Sequence, residues 1–372
     1  MIIHSCLIIK NEENNIVPLI NQLLLFSDEI HITDTGSSDN TLVNIEELQK
    51  KHPNIFIHYY IWNNNFSDAR NYSFYNYDNK SDFIFWCDAD DLLSSNLIKS
   101  IQEFKSFNYK NTYDVYYLNY MYSKHFPKDL HYRTSILKTA KHFEWRDPIH
   151  EYINVDEMPC TLCFYFGQNT DNYIEHQRVH SATERNLNIF MSLYKNHYKF
   201  SSRNYYYFGQ ELLNNQLYLF AYVIFLECIN KHDNQLDSTN ASNSMYWISQ
   251  NTQLPDYLPN IKDVLLDLYN RNWRRPDIVT NLAHIEYNNK NYDVAEKYYL
   301  EALDNLDNVA ELFTFLYNKQ QTHINILLQL SCIEYYYKKD YHKSLEYNKE
   351  ILIIDPNHQT AINNIKIIED NL

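Results

Sequence analysis

A short apolar run that ends in three carboxylates constrains this chain most. Residues 83–91 read FIFWCDADD, so large apolar side chains lead directly into Asp88, Asp90 and Asp91. An apolar run of this length, bounded by charge, is typical of a central strand in a parallel sheet covered on both faces. We therefore expect an open α/β sheet with a ligand site beyond the carboxyl end of this strand.

The carboxylates themselves indicate a metal site. Residues i and i+2 of an extended chain share a face, so Asp88 and Asp90 present their oxygens on one side. Mg²⁺ and Mn²⁺ prefer such ligands and commonly bridge to substrate phosphates. The other interpretation is a solvated acidic loop, or a helix N-terminus in which Asp90 or Asp91 caps a helix that begins near Leu92.

Bulk properties narrow the class of protein. The length of 372 residues predicts two domains, and the net charge of −15 argues against a nucleic-acid binder. No apolar run approaches the length of a membrane span. The first residues, MIIHSCLII, lack a basic leader and are typical of a β-strand. We therefore expect a cytoplasmic protein, in the host cytoplasm if the bias toward Asn, Lys, Ile and Tyr reflects a viral genome.

The cysteines suggest little chemistry. Among the six, only Cys160 and Cys163 have the spacing of a metal or redox pair. Because no second pair completes a zinc site, the residues favour reduced thiols.

Short strands alternate with polar, helix-compatible stretches over residues 1 to about 100. This alternation predicts βαβ units and a parallel sheet. Residues 115–153 are mixed and more β-like. The predicted strands are 2–9, 29–33, 55–60 and 83–87, and the predicted helices are 14–26, 39–51 and 68–77.

After about residue 183 the pattern becomes helical and contains weak internal repeats. The segment 285–295 aligns with 333–345 after a one-residue gap, and 208–228 is a third, weaker copy. A small residue at a helix crossing followed by an aromatic that opens a second helix is typical of tetratricopeptide repeats. The copies lie about 48 residues apart instead of the usual 34, so an ordinary helical bundle stays an alternative.

The first 190 residues resemble the inverting glycosyltransferase family 2, which has the GT-A fold. The resemblance is greatest to cytosolic members that append tetratricopeptide repeats. It rests on seven segments in the family's order, namely 6–13 (CLIIKNEE), 28–41 (DEIHITDTGSSDNT), 65–71 (NFSDARN), 85–91 (FWCDADD), 146–151 (RDPIHE), 174–176 (IEH) and 185–187 (RNL).

The resemblance implies a nucleotide-binding set. Asp34 matches the carboxylate that accepts a hydrogen bond from the nucleotide base, and Asp88 matches the one that reaches the ribose and the metal shell. Arg70 and Asn71 match contacts to base or phosphate; a surface ion pair and a helix cap are their alternatives. Asn11 and Asp68 fall in matching segments and complete the expected set.

The resemblance also implies the catalytic and metal residues. Glu151 matches the family's acidic base, and Asp147 is the second candidate. Asp90 matches the metal ligand, whereas Asp91 replaces the more usual Glu. His176 occupies the place of a late metal-binding histidine, but Gln177 follows it instead of the usual Tyr-Gly, and His180 is a competing candidate.

These inferences define one expected protein. It has an α/β GT-A domain with a mostly parallel, Rossmann-like sheet over residues 1–190 and an all-α, tetratricopeptide-like repeat domain over 191–372. The expected activity is metal-dependent, inverting transfer from a nucleotide sugar, most simply a UDP-sugar with Mn²⁺ or Mg²⁺. The acceptor would be a protein, peptide or glycan, and the repeats could also support a homo-oligomer. The rival hypotheses are a nucleotidyl or sugar-phosphate transferase and a catalytically inactive repeat scaffold.

Overall fold

The computed structural model divides the chain into two compact units, Met1–Ala182 and Thr183–Leu372. The predicted boundary, between residues 190 and 191, falls inside the first helix of the second unit. The structure describes residues 1–77, 80–107, 113–121, 130–159, 161–165, 171–177, 183–271, 273, 275–306 and 319–372. Cys160 and His180 lie outside the described residues, so the predictions that concern them stay predictions.

Strands and helices alternate through the first half of unit 1, as the apolar pattern predicts. The strands are β1 (Ile3–Ile9), β2 (Glu29–Asp34), β3 (Ile55–Tyr59), β4 (Phe83–Trp86), β5 (Asp91–Leu93), β6 (Val115–Met121), β7 (Leu130–Lys138), β8 (Trp145–Arg146), β9 (Tyr152–Ile153), β10 (Cys163–Tyr165) and β11 (Tyr173–His176), and the helices are α1 (Ile16–Leu23), α2 (Thr41–Gln49), α3 (Phe66–Tyr75) and α4 (Ser95–Phe107).

The described strands form a mostly parallel main sheet in the order β3-β2-β1-β4-β7-β6-β11-β5, with β10 beside β6 and a separate β8-β9 pair. β1 pairs in parallel with both β2 and β4. β7 runs antiparallel to β4. The first half of β7 therefore lies at the same edge as the carboxyl ends of β1, β2 and β4.

Strand β4 is covered on both faces. Phe83 and Phe85 belong to one apolar cluster, which includes residues of α1 and α4. Ile84 and Trp86 belong to the cluster on the opposite face. The prediction of a covered central strand is confirmed.

The helix expected near Leu92 begins three residues later, at Ser95, because Asp91–Leu93 forms β5. Ser94, and not Asp90 or Asp91, caps it by accepting from the amide of Leu97. β5 pairs antiparallel with β11, with His176 opposite Asp91. This pairing joins residues far apart in sequence, which local helix-start signals do not encode.

Unit 2 is helical throughout its described part. None of the described helices combines the length and apolarity needed to cross a membrane. The helices are α5 (Thr183–Lys195), α6 (Ser202–Asn214), α7 (Tyr218–Lys231), α8 (Gln235–Asn251), α9 (Ile261–Asn270), α10 (Pro276–Asn288), α11 (Tyr292–Asp304), α12 (Lys319–Cys332), α13 (Tyr341–Ile354) and α14 (Gln359–Glu369).

Small residues allow close helix crossings in this unit, as the repeat pattern predicts. A Cβ at Gly209 of α6 would lie 2.4 Å from the ring of Phe225 in α7. In the α12–α13 pair, Ser331 and Ser344 are buried and hydrogen-bonded at 2.9 Å. The helices therefore pack as neighbouring hairpins.

The one-residue gap between the repeat copies has a structural cause. After α10, the amide of Asn291 donates to the carbonyl of Glu286, five residues back. After α12, the amide of Asp340 donates to Glu334, six residues back, and residues 333–338 form a π-helical turn. A π-turn accommodates one inserted residue within a helix.

Candidate active site

A tight turn after β4 places the three carboxylates. The amide of Asp91 donates to the carbonyl of Asp88 at 3.1 Å, and the amide of Asp88 donates to Asp91 Oδ2 at 2.8 Å. The side chain of Asp91 is fully buried. Asp91 therefore closes the turn and orients its neighbours.

Arg70 links this turn to the predicted base. It lies on α3, which Asn65 caps by accepting from the amide of Asp68. Its Nη2 donates to Asp88 Oδ1 and its Nε to Glu151 Oε1, both at 2.7 Å. The guanidinium lies against the indoles of two tryptophans, Trp86 at 4.9 Å and Trp145 at 4.7 Å.

Arg133 on β7 forms the second link, and sequence reasoning missed it. Its Nη1 donates to Asp88 Oδ2 at 2.9 Å and its Nη2 to Asp91 Oδ2 at 2.7 Å. Its guanidinium lies 3.8 Å from the ring centre of Tyr120. Tyr120 also donates its hydroxyl to Asp91 Oδ1 at 2.8 Å. The strand reads LHYRTSILK and mixes polar with apolar residues, so it contains no distinctive signal for Arg133.

Glu151, Arg70, Asp88, Arg133 and Asp91 thus form a carboxylate–arginine chain of alternating charge. Burial alone would raise the pKa of Asp88, but the two guanidiniums outweigh it and hold that pKa well below the usual range. The negative charge of Asp88 is therefore fully compensated by the two arginines.

Asp90 lies outside this compensation. Its side chain is 24% exposed, and burial together with Asp88 and Asp91 raises its pKa to about 6, although His176 opposes the shift. His176 Nδ1 lies 3.6 Å from Asp90 Oδ1 and 3.3 Å from Asp91 Oδ1. The hydrogen bond with Asp91 raises the pKa of His176, against the effect of its burial.

Asp90, Asp91 and His176 form a carboxylate–histidine cluster that fits a divalent cation. One ligand atom from each residue lies within 4.8 Å of the others. Two carboxylate oxygens and an imidazole nitrogen suit Mn²⁺, and incompletely compensated negative charge favours a cation there. The predicted ligands were Asp88, Asp90 and His176. The structure places Asp91 with the latter two, whereas both oxygens of Asp88 accept from arginines.

Asp34 and Asn11 lie at the carboxyl ends of β2 and β1. The buried carboxylate of Asp34 accepts from the amides of Gly36 and Ser37, both at 3.0 Å. Gly36 has a φ of 103°, a conformation that side chains disfavour. Asn11 Oδ1 accepts from the amide of Ser38 at 2.8 Å. Both side chains hold the turn after β2 at the edge where the nucleotide is expected.

Asn71 and Asp68 occupy other parts of α3. Asn71 exchanges two hydrogen bonds with the backbone of Trp145, at 3.0 and 2.7 Å. It thereby anchors β8 to the helix that carries Arg70. Asp68 is exposed and accepts from Asn63 at 3.0 Å. The nucleotide contacts expected of both residues stay predictions.

The segment with both candidate bases is tied to α3. The carbonyl of Pro148 accepts from the amide of Phe66 at 2.8 Å. Asp147, next to this proline, is half-buried with a φ of 65°. Glu151 bonds to Arg70, so it is the candidate joined directly to the carboxylate–arginine chain.

One comparison with protein families finds a match. Residues 6–158 match the family model described as Glycosyl transferase family 2. This match supports the resemblance drawn from the sequence of the first 190 residues. No match was found among curated proteins.

Solved structures with some likeness fall into two groups. The crystal structure of S. aureus TarS has 14% identity and a TM-score of 0.36, with 71% of this chain and 50% of that one covered. TarS 1-349 in complex with UDP-GlcNAc has 15% identity and a TM-score of 0.39, covering 78% and 92%. YrrB, a TPR protein with an unusual peptide-binding site, has 15% identity and a TM-score of 0.36, covering 50% and 84%. This chain thus spans about half the length of the first of these structures.

Proposed function

We propose that this protein is a metal-dependent, inverting glycosyltransferase that uses a nucleotide-sugar donor, most simply a UDP-sugar. The observation that carries the proposal is the carboxylate–histidine cluster. It lies beside a fully compensated Asp88, at the carboxyl edge of a sheet whose residues match the glycosyltransferase family 2 model. Open α/β sheets bind their ligands at this edge.

The donor would lie along the carboxyl ends of β1, β2 and β4. Asp34 and Asn11 already order the turn after β2, which leaves that edge preorganised for the nucleotide base. Arg70 lies against two indoles, and an arginine fork suits a phosphate. A diphosphate would compete with Asp88 for Arg70. Asn71 and Asp68 would support the donor site from α3.

Asp90 and His176, with Asp91, would hold a Mn²⁺ or Mg²⁺ ion. Such an ion supplies positive charge to a diphosphate leaving group. This chain's own contribution is to hold three ligand atoms close together, with Asp91 fixed by Arg133 and Tyr120. Asp88 would keep Arg70 and Arg133 in place and face the ribose.

Glu151 would act as the general base. In an inverting transfer, the acceptor hydroxyl oxygen forms a bond to the anomeric carbon while the bond from that carbon to the phosphate oxygen breaks on the opposite face. The hydroxyl proton then passes to the base. Arg70 engages Oε1 of Glu151, so we assign proton acceptance to Oε2. Asp147, four residues earlier, is the second candidate.

The helical unit would recruit the acceptor, a protein, peptide or glycan, or a second copy of the chain. Repeat hairpins form extended surfaces suited to such partners. Exposed Phe220 on α7 and Trp247 on α8 offer aromatic contact area on this unit. Cytoplasmic location is part of the same proposal.

A panel of nucleotide sugars tests the activity. The full chain with Mn²⁺ is incubated with each donor, UDP-GlcNAc included, and release of nucleoside diphosphate is measured alongside the mass shift of candidate acceptors. We expect diphosphate release from one donor class. Release of sugar 1-phosphate or of a nucleoside monophosphate would favour the transferase rivals, and no cleavage of any donor would favour an inactive scaffold.

A further inference from the structure

A second histidine-containing cluster lies in unit 1, near the amino ends of β1 and β2. His4, Glu29 and His31 each offer one ligand atom within 4.8 Å of the others. The strand register places His4 directly opposite Glu29, and His31 two residues further along the same face of β2. Asp34 of the candidate active site lies at the other end of β2.

The two distances from the Glu29 oxygen to the histidine nitrogens are close to those of a tetrahedral site. Glu29 Oε2 lies 2.9 Å from His31 Nε2 and 3.6 Å from His4 Nε2. Ligands about 2.0 to 2.1 Å from a tetrahedral zinc ion lie about 3.3 Å from one another. The two distances lie on either side of that value, so small side-chain rotations would equalise them.

The remote nitrogens of both imidazoles also have partners. His31 Nδ1 lies 3.0 Å from His58 Nε2, and His4 Nδ1 lies 3.4 Å from the hydroxyl of Tyr77. Histidines that bind a metal almost always donate their other ring N–H to a neighbour, which fixes the tautomer. Here both remote nitrogens can donate while both Nε2 atoms face Glu29.

Burial and access suit a metal ion as well. The imidazoles of His4 and His31 are only 5% and 4% exposed, whereas the Glu29 side chain is 40% exposed. Tyr77 stacks on His31 with ring centres 3.5 Å apart. Glu29 provides both a charged ligand and an entry path from solvent.

We propose that His4, Glu29 and His31 bind a zinc ion that ties β1 to β2, with water as the fourth ligand. Two imidazoles and one carboxylate are a typical zinc donor set, whereas Mg²⁺ favours oxygen ligands and retains its waters. The site is separate from the carboxylate–histidine cluster and does not depend on the proposed activity.

Cobalt spectroscopy tests the site directly. The full chain is stripped with EDTA, desalted and titrated with Co²⁺, whose visible absorption reports tetrahedral nitrogen and oxygen ligands. The Asp90→Asn, His176→Gln double variant removes the other cluster. We expect one equivalent of Co²⁺ in this background, displaced by Zn²⁺ and not by an excess of Mg²⁺. Absence of that equivalent, or displacement by Mg²⁺, would overturn the proposal.

Substitution of Glu29 provides the matched comparison. In the same background, Glu29→Gln should weaken Co²⁺ and Zn²⁺ binding at least about 10-fold, while Glu47→Gln on the exposed face of α2 should leave it unchanged. At a fixed concentration, Zn²⁺ should raise the melting temperature of the background protein and of the Glu47 variant more than that of the Glu29 variant. Equal affinity in the two variants would mean that Glu29 is not a ligand of the bound ion, and would overturn the proposed site.

Discussion

Buried carboxylates serve different purposes in the two units. In unit 2, Glu286 and Glu334 are buried in separate hairpins, and each is paired with a lysine. Glu286 lies 2.6 Å from Lys262, and Glu334 lies 2.7 Å from Lys343. In unit 1 several carboxylates converge on one sheet edge and share two arginines, with Asp90 left outside that compensation. Evenly distributed, paired charge indicates a structural role, whereas converging charge with an uncompensated member indicates a ligand site.

Loss of Asp90 should have the largest effect on activity. We expect Asp90→Asn to reduce donor cleavage to background, because the cluster loses its least compensated carboxylate and its affinity for a cation. The melting temperature should change little, since Asp90 is partly exposed. Asp156→Asn, an exposed acid in the same unit, is the control. Substantial activity in the Asp90 variant at saturating Mn²⁺ would mean that the uncompensated carboxylate does not mark a ligand site.

Loss of the candidate base Glu151 should have the second-largest effect on activity. Glu151→Gln keeps the shape of the side chain and removes its basicity, so kcat should fall by roughly 10² to 10⁴ while donor binding is retained. Single-turnover rates and donor affinity, measured separately, check this. If Asp147→Asn shows that pattern and Glu151→Gln remains active, the base lies four residues earlier.

Local sequence patterns predicted the strands and helices that depend only on neighbouring residues in the chain. The strands β1 to β4 and the helices between them follow from apolar periodicity, and the one-residue repeat gap corresponds to the π-helical turn at 333–338. Asp88 and Asp90 were recognisable because they directly follow a buried strand.

The parts of the candidate site that were not predicted depend on contacts between segments far apart in the sequence. Arg133 reaches Asp88 only because β7 runs antiparallel to β4. Asp91 joins His176 only because β5 pairs with β11 instead of continuing into a helix. No local signal encodes either pairing, so the carboxylate–arginine chain was not predicted.

Removal of Arg133 should mainly affect stability. Arg133→Met leaves the buried Asp91 without its guanidinium partner and leaves Asp88 with Arg70 alone. This loss should cost about 3 to 5 kcal/mol of unfolding free energy. Denaturant unfolding of this variant and of the Arg133→Met, Asp91→Asn double variant measures the coupling. A loss below about 1 kcal/mol would mean that the chain of charges is not a stabilising unit.

The paired glutamates of unit 2 should matter less. Glu334→Gln weakens the pair with Lys343 in a buried position, so we expect a loss of about 1 to 3 kcal/mol. Donor cleavage at a temperature where the variant is folded should equal that of the wild type. A lower kcat in the folded variant would contradict the purely structural role of these carboxylates.

The smallest effect should come from the exposed surface of unit 2. Phe220→Glu and Trp247→Glu should raise the KM for a macromolecular acceptor about 10-fold, the effect of losing an aromatic interface contact. Donor hydrolysis should not change. Ile353→Glu, at a more exposed position on α13, is the control. Equal acceptor kinetics in all three variants would separate the acceptor site from α7 and α8.

The central claim is that the cluster of Asp90, Asp91 and His176 holds the cation on which sugar transfer depends. Its most direct test is the rate of nucleoside diphosphate release by the full chain after EDTA treatment, before and after Mn²⁺ is restored. We expect chelation to stop release and Mn²⁺ to restore it in the wild type and in Glu29→Gln, but not in Asp90→Asn. An unchanged rate in EDTA would contradict the claim and would leave Asp88 and Asp90 as hydrogen-bonding groups for the donor.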